Sequence, residues 1–286
     1  MLSMNKTLLI VDGHNLAHRC FHQPNLKQLR RADGKKSGVF YGFLTGIHKL
    51  LIKFKPNKCI VIFDSKTGSD NKRKANVEYK HKRTGKGKKV LYRQIRDLEK
   101  ILKKLGVTVV SHPDVEADDV IWNLAMVAQP KNKVIIVTAD HDLFQAITPK
   151  CFVYDDQRQT MWTEKTVKAK YGLPPSKIAL WKALAGDKSD SVSGVRGIGP
   201  KQATILANRF KTFDKLLLSF PPKRQKELII AWGSVQLAPT AELRNFSATL
   251  LTQSNKVKKK KAKKLLKKYS CNSILNKFPE WCKQFK

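Results

Sequence analysis

The chain has 286 residues, enough to bury a full core in one large domain or two smaller ones. Its 57 Lys+Arg against 22 Asp+Glu give a formal charge of +35, which points to a polyanionic partner and away from a basic or uncharged one. No apolar stretch approaches the ~20 residues that span a bilayer, and Met1 to Lys6 has no signal-peptide pattern. Cys20, Cys59, Cys151, Cys271 and Cys282 are scattered without a CxxC pair, which speaks against a disulfide framework or a zinc site; a cytoplasmic protein with no membrane partner is expected.

The first predicted element is a strand from Thr7 to Val11, ended by Asp12. Gly13 is expected to let the chain turn sharply there, so that the carboxylate points into a cleft. His14, His18 and His22 follow at i, i+4, i+8 and read as a polar or DNA-facing helix surface, since no acid or cysteine is interleaved to complete a metal site. Phe40, Ile47, Leu50, Leu51 and Phe54 predict a crossover helix stopped by Pro56. A second strand, Cys59 to Phe63, ends at Asp64.

From Ser65 to Lys89 apolar residues nearly vanish while lysine and arginine accumulate, so the segment is expected to order only where phosphates neutralise it. Within it Tyr79 offers a ring for stacking a base. Beside it Lys80 and Arg83, spaced i and i+3, share a face if the segment is helical and can stabilise charge on a phosphate. Leu91, Ile95, Leu98, Ile101, Leu102 and Leu105 restore a helix that Gly106 stops, and Val107 to Ser111 predicts the next strand.

Glu116, Asp118 and Asp119 then open the helical pattern Val120, Ile121, Leu124 and Val127. Three carboxylates packed so closely repel one another, a burden removed when divalent cations sit among them. Val134 to Thr138 leads into Asp140 and Asp142, and Cys151 to Tyr154 predicts an edge strand. The apolar runs are β-branched and unbroken, as in strands covered on both faces, so a doubly wound parallel sheet is expected to about residue 160. Ligands of such sheets bind beyond the carboxyl ends of the strands, where the acids are therefore expected to converge.

From Pro174 the pattern is helical, with Ser176 read as the cap of a helix over Lys177 to Ala185 and Gly186 as its stop, ahead of Asp187 and Asp190. Gly197 and Gly199 precede Pro200, the first residue of a helix to Phe210. Bare amides at a helix N-terminus, with Lys201 adding charge, suit a grip on phosphate backbone that reads shape and not sequence. The lysines from Lys256 to Lys268 read either as a solvated tail or as a nucleic-acid arm.

With these residues the chain resembles the 5′ to 3′ exonuclease and flap endonuclease family, in particular its short stand-alone phage type and the N-terminal nuclease domain of bacterial DNA polymerase I. The likeness runs to about residue 250. It implies a PIN-like, doubly wound, mostly parallel α/β nuclease core over residues 1–173 with a helical arch at 65–90. A helical DNA-binding region would fill 174–286, with a helix-three-turn-helix at 177–210 and the lysine-rich segment at 256–268. It implies that Asp12, Asp64, Glu116, Asp118, Asp119 and Asp140 bind one metal cluster, and that Asp142, Asp187 and Asp190 lie on the side of a second. It further implies catalytic cations at Lys80 and Arg83, and DNA contacts at Tyr79, Lys182, Gly197, Gly199 and Lys201. Ser191 stands where the family commonly has Asn, Lys82 where the arch has Asn, and Arg196 where the hairpin has Pro.

The function so implied is structure-specific cleavage of DNA at 5′ flaps and 5′ ends, by two or more Mg²⁺ ions with Mn²⁺ as a substitute and K⁺ at the hairpin. The partner would be flapped DNA, with RNA–DNA primers among its substrates, and the setting replication or repair in a bacterial or phage-infected cell, as a monomer. Two other readings remain open. A PIN-type ribonuclease shares strand-end acids but lacks the hairpin after them, and a non-catalytic DNA-junction binder would be expected to lose acids that this chain keeps.

Overall fold

The computed structural model describes residues 6–65, 88–237, 239–253 and 256–283. Six strands, Lys6–Asp12 (β1), Lys58–Ile62 (β2), Thr108–Val110 (β3), Asn132–Val137 (β4), Cys151–Asp155 (β5) and Thr160–Trp162 (β6), form one sheet in the order β3-β2-β1-β4-β5-β6. β1 to β5 pair in parallel, and β6 returns antiparallel along β5. From β1 the chain winds outward through β2 and β3, then crosses back to start β4 on the other flank. The strand order therefore reverses between β1 and β4, and a crevice opens at their carboxyl ends.

Alternate residues of each strand feed two separate cores. Leu8, Ile10, Ile60, Ile62, Val134 and Ile136 pack against the Ala117–Ala128 helix and on into the helices that follow Ile178. Leu9, Val11, Cys59, Val61, Ile135 and Val137 pack against the Gly38–Phe54 and Lys88–Lys104 helices. With both faces covered, no position along the strand is left for a polar residue, which is why the runs are apolar without a break. Each such side chain, fully withdrawn from water, contributes roughly 1.5–3 kcal/mol.

Several expectations are corrected. Cys151–Asp155 is not the edge, because β6 pairs with it, with Asp155 opposite Thr160. Ser176 does not cap the next helix; Pro175–Lys177 forms a 3₁₀ turn and Ile178–Ala185 starts behind it with no side-chain cap. Gly186 ends that helix as read, at φ +83°. The lysine-rich run is neither a tail nor a free arm. Lys259–Lys268 is a helix that buries Ala262 and Leu266 in the second core, and Trp281 follows it there, donating from Nε1 to the Leu105 carbonyl at 2.9 Å. Its composition hid this, since two apolar positions four apart suffice to dock a helix whose other side remains wet. All five cysteines are free thiols. Among the described residues, no helix is long and apolar enough to cross a membrane.

Candidate metal and active site

The crevice is built from the ends of the strands. Asp12 caps the Gly13–His22 helix, its Oδ1 accepting the Asn15 amide at 2.9 Å. Its Oδ2 accepts the Thr138 hydroxyl at 2.9 Å, and the same hydroxyl oxygen accepts the Asp140 amide at 3.0 Å. One side chain at the end of β4 thus ties together the two carboxylates that flank the switch point. Asn15 adds a second tie, its Oδ1 accepting the Ala139 amide at 3.2 Å. Gly13 is the first residue of a helix and not a turn with unusual dihedrals; its value is closeness, because a Cβ there would lie 2.6 Å from the Phe63 ring and 2.8 Å from the Ile62 carbonyl.

Asp64 joins this group to the acidic helix. Its amide donates to His14 Nδ1 at 2.9 Å, and its Oδ1 accepts the Ala117 amide at 2.9 Å, at the first turn of Ala117–Ala128. There Glu116, Asp118 and Asp119 each offer an oxygen, all within 4.8 Å of one another. The helix N-terminus favours negative charge by about 0.3–1 kcal/mol per group, too little to hold three carboxylates together unaided. Burial, first, and then the charges of Asp64 and Asp140 push Asp12 up to about 7. A set of hard oxygen donors in which an acid is made to hold its proton near neutrality fits divalent cations such as Mg²⁺, Mn²⁺ or Ca²⁺, which supply the missing positive charge.

A second group adjoins the first through Asp140, whose Oδ1 accepts the Asp142 amide at 2.9 Å. Asp142 is 5 % exposed and is pushed up to about 7 by burial first, then by Asp140, and by Asp190. The buried Lys182 ammonium donates to Asp142 Oδ1 and, at 2.6 Å, to Asp187 Oδ2. Burial would raise Asp187 too, but Lys182 and the Ser189 hydroxyl and amide overcome it and hold this carboxyl below its ordinary range. At 7 % exposure and between two carboxylates, Lys182, expected as a DNA contact, sits in this structure as an internal cation that neutralises part of the second acid group.

The nine carboxylates therefore fall into two adjoining groups along the crevice. Tyr79, Lys80 and Arg83 lie outside the described residues. Gly197, Gly199 and Lys201 are exposed where Pro200–Arg209 begins, with Gly197 at φ +85°. Of the three histidines, His14 is buried under Asp64, a correction to the expected polar surface, while His18 and His22 line a cavity of about 800 Å³ together with Asn15 and Ala139. His14, Asn15 and Thr138 were missed as parts of the site. Asn15, three residues after Asp12, carried a capping signal; Thr138 and His14 had none, because their partners are remote in sequence.

Comparison with known proteins adds to this geometry. The family profile of the 5′–3′ exonuclease N-terminal, resolvase-like domain matches residues 7–172. A 5′–3′ exonuclease of Aquifex aeolicus is 32 % identical over 240 residues, 81 % of this chain and 82 % of that protein. In shape the chain is similar to a bacteriophage T5 protein co-crystallised with metal ions, with a TM-score of 0.66 and 20 % identity over 92 % of this chain and all of that one. It is also similar to the bacteriophage T5 flap endonuclease in a pseudo-enzyme–product complex with DNA and metal ions, with a TM-score of 0.64 and 20 % identity over 93 % of this chain and 100 % of that one. Identities this low carry the fold alone.

Proposed function

Because the chain belongs to the 5′–3′ exonuclease family, we propose that it is a structure-specific 5′ nuclease that hydrolyses DNA at 5′ ends and beside 5′-flap junctions. The observation that carries this reading is the gathering of Asp12, Asp64, Glu116, Asp118, Asp119 and Asp140 at one crevice of a chain with a charge of +35. Those six would hold the first metal cluster, and Asp142, Asp187 and Asp190 the side of a second. Two or more Mg²⁺ ions, or Mn²⁺ in their place, supply water of lowered pKa and neutralise phosphate charge when bound.

The chain's own residues position and screen. Thr138 and Asn15 hold Asp12 against β4, so that its carboxylate cannot swing away when its neighbours ionise. Lys182 keeps Asp142 and Asp187 together and limits their repulsion. Gly197, Gly199 and Lys201 present amides and an ammonium at a helix start to duplex backbone, with K⁺ as an additional ligand of the hairpin. Lys80 and Arg83 of the basic segment stabilise charge on the scissile phosphate, and Tyr79 stacks on a base. The enzyme acts as a monomer, with RNA–DNA primers among its substrates.

The test is an internally labelled 5′-flap duplex with its end free or blocked, with Mg²⁺ or with chelator. Cleavage beside the junction is expected only with a free end and Mg²⁺. Equal cleavage of a matched RNA hairpin would overturn this reading in favour of a ribonuclease.

A further inference from the structure

The strongest concentration of positive charge among the described residues has no part in the crevice. The Lys88–Lys104 helix starts near the site, where the Tyr92 ring lies 5.7 Å from that of His14, the residue that accepts the Asp64 amide. It descends the second face of the sheet and ends at Lys104, whose carbonyl accepts the Lys258 amide at 2.8 Å. Lys259–Lys268 starts from that point and runs back, until Tyr269 stacks on Phe40 at 4.2 Å and receives the Arg31 guanidinium over its ring at 4.8 Å. The two helices are thus antiparallel neighbours on the outside of one core.

Their outward sides are basic. Lys89, Arg93, Arg96, Lys100 and Lys103 recur at i, i+4, i+7, i+11 and i+14 and are all exposed. Lys260, Lys264 and Lys267 recur at i, i+4 and i+7 on the neighbour, with Lys261 and Lys268 beside them, all exposed. The acids of these helices, Asp97 and Glu99, are half-buried at the flank; Asp97 is within 3.9 Å of Arg31, and Glu99 offsets part of the charge of Lys103, Arg96 and Lys100. Like charges at i, i+4 repel and destabilise a helix, so this face has a standing electrostatic cost that a chain of phosphates would offset. Seventeen residues make a stripe about 25 Å long, enough for several nucleotides.

Place decides which nucleic acid. Ile198 and Ala203, which anchor the Gly-rich hairpin, pack on the first core, whereas both basic helices pack on the second. The crevice lies between them, at the carboxyl ends of β1 and β4. We propose that the face formed by Lys88–Lys104 and Lys259–Lys268 is a track for the single-stranded 5′ flap, with Tyr92, 45 % exposed at its upper end, as a stacking ring for the first base beyond the crevice. The proposal rests on the nuclease reading above: duplex is gripped on one face, and the displaced strand passes the acids and leaves along the other.

Deleting residues 256–268 would remove Ala262 and Leu266 from the core, so charge reversal on the surface is the cleaner test. The triple variant Lys260→Glu, Lys264→Glu, Lys267→Glu and the wild type are titrated in chelator with labelled duplexes carrying either no flap or a flap of about 20 nucleotides. The wild type should bind the flapped duplex at least about tenfold more tightly, the variant should lose that gain, and the salt slope for the flapped duplex should fall by about 2. Reversal of Arg93, Arg96 and Lys100 to Glu on the other helix should remove the same gain, and melting curves should match the wild type. Equal weakening on both duplexes, or none on either, overturns the track. Cleavage of both duplexes in Mg²⁺ is read in parallel: its absence on both in the wild type would sink the nuclease reading, whereas cleavage by both variants with only the gain in flap binding lost isolates the effect to the flap.

Discussion

The crevice between β1 and β4 and the outer face of Lys259–Lys268 each crowd charges of one sign, and the chain bears the two crowds differently. In the crevice, Asp12 and Asp142 are withdrawn from water beside other carboxylates and are pushed up to about 7. On the helix, the lysines point into solvent while Ala262 and Leu266 do the packing. Burial turns repulsion into a free-energy demand that only a cation meets, so the acid crowd announces its ligand. Exposure lets water and salt screen the basic crowd, and its partner is inferred from direction and neighbours instead.

The largest effect expected is on catalysis. Asp118→Asn should lower kcat/KM by at least about a thousandfold, roughly 4 kcal/mol of transition-state stabilisation, and leave DNA affinity equal or higher because negative charge leaves a polyanion's site. Steady-state cleavage and gel-shift titration read both. Lost binding with retained turnover would break the contrast between an acid crowd that serves metal and a basic surface that serves DNA.

Next in size is the apolar foundation of the basic face. Trp281→Ala should cost about 3–5 kcal/mol in denaturant unfolding. Lys264→Glu, on the wet side of the helix, should stay within about 0.5 kcal/mol. Similar losses for the two would mean that the lysines are part of the core's support after all.

The third test is pH. Asp12 and Asp142 are raised in the folded chain from an ordinary 3.8 to about 7. Between those values the unfolded chain has shed protons that the folded chain retains, so their contribution is fully present below 3.8 and is lost as pH rises toward 7. Melting temperature in chelator should accordingly decline across this window. With Mg²⁺ the ionised carboxylates are the binding form, and the decline should shrink or reverse. A chelator curve that climbs toward neutrality would show that the crevice bears its charge as easily as the surface does.

The smallest effect concerns Ser191, beside Asp190, which adopts φ +59°. Serine enters this left-handed region at a cost that Asn bears more easily, so Ser191→Asn should stabilise by under about 1 kcal/mol, read as a small rise in melting temperature.

Strands, crossover helices and the acids at strand ends were legible in the sequence, because a strand covered on both faces must be apolar without interruption and a carboxylate can follow only where that cover stops. The Gly-rich hairpin and the helix starting at Pro200 were legible for a similar local reason, the fit of Pro to a first helical turn. β6 was missed because its three residues, Thr160–Trp162, are too few for an alternation to register. Ser176 was misread because capping chemistry marks a candidate helix start, whereas Pro174 and Pro175 set the 3₁₀ turn that displaced it.

The sequence by itself therefore determined the class of fold, the large positive charge and the placing of acids at strand ends, since these follow from periodicity and composition along the chain. Only the tertiary structure decided that Lys182 spends its charge between Asp142 and Asp187, that Thr138 couples Asp12 to Asp140, and that the lysine-rich segment is a docked helix. Each of these depends on which surfaces meet when distant segments pack, and a side chain's neighbours across forty or more residues leave no periodic trace in the order of the amino acids.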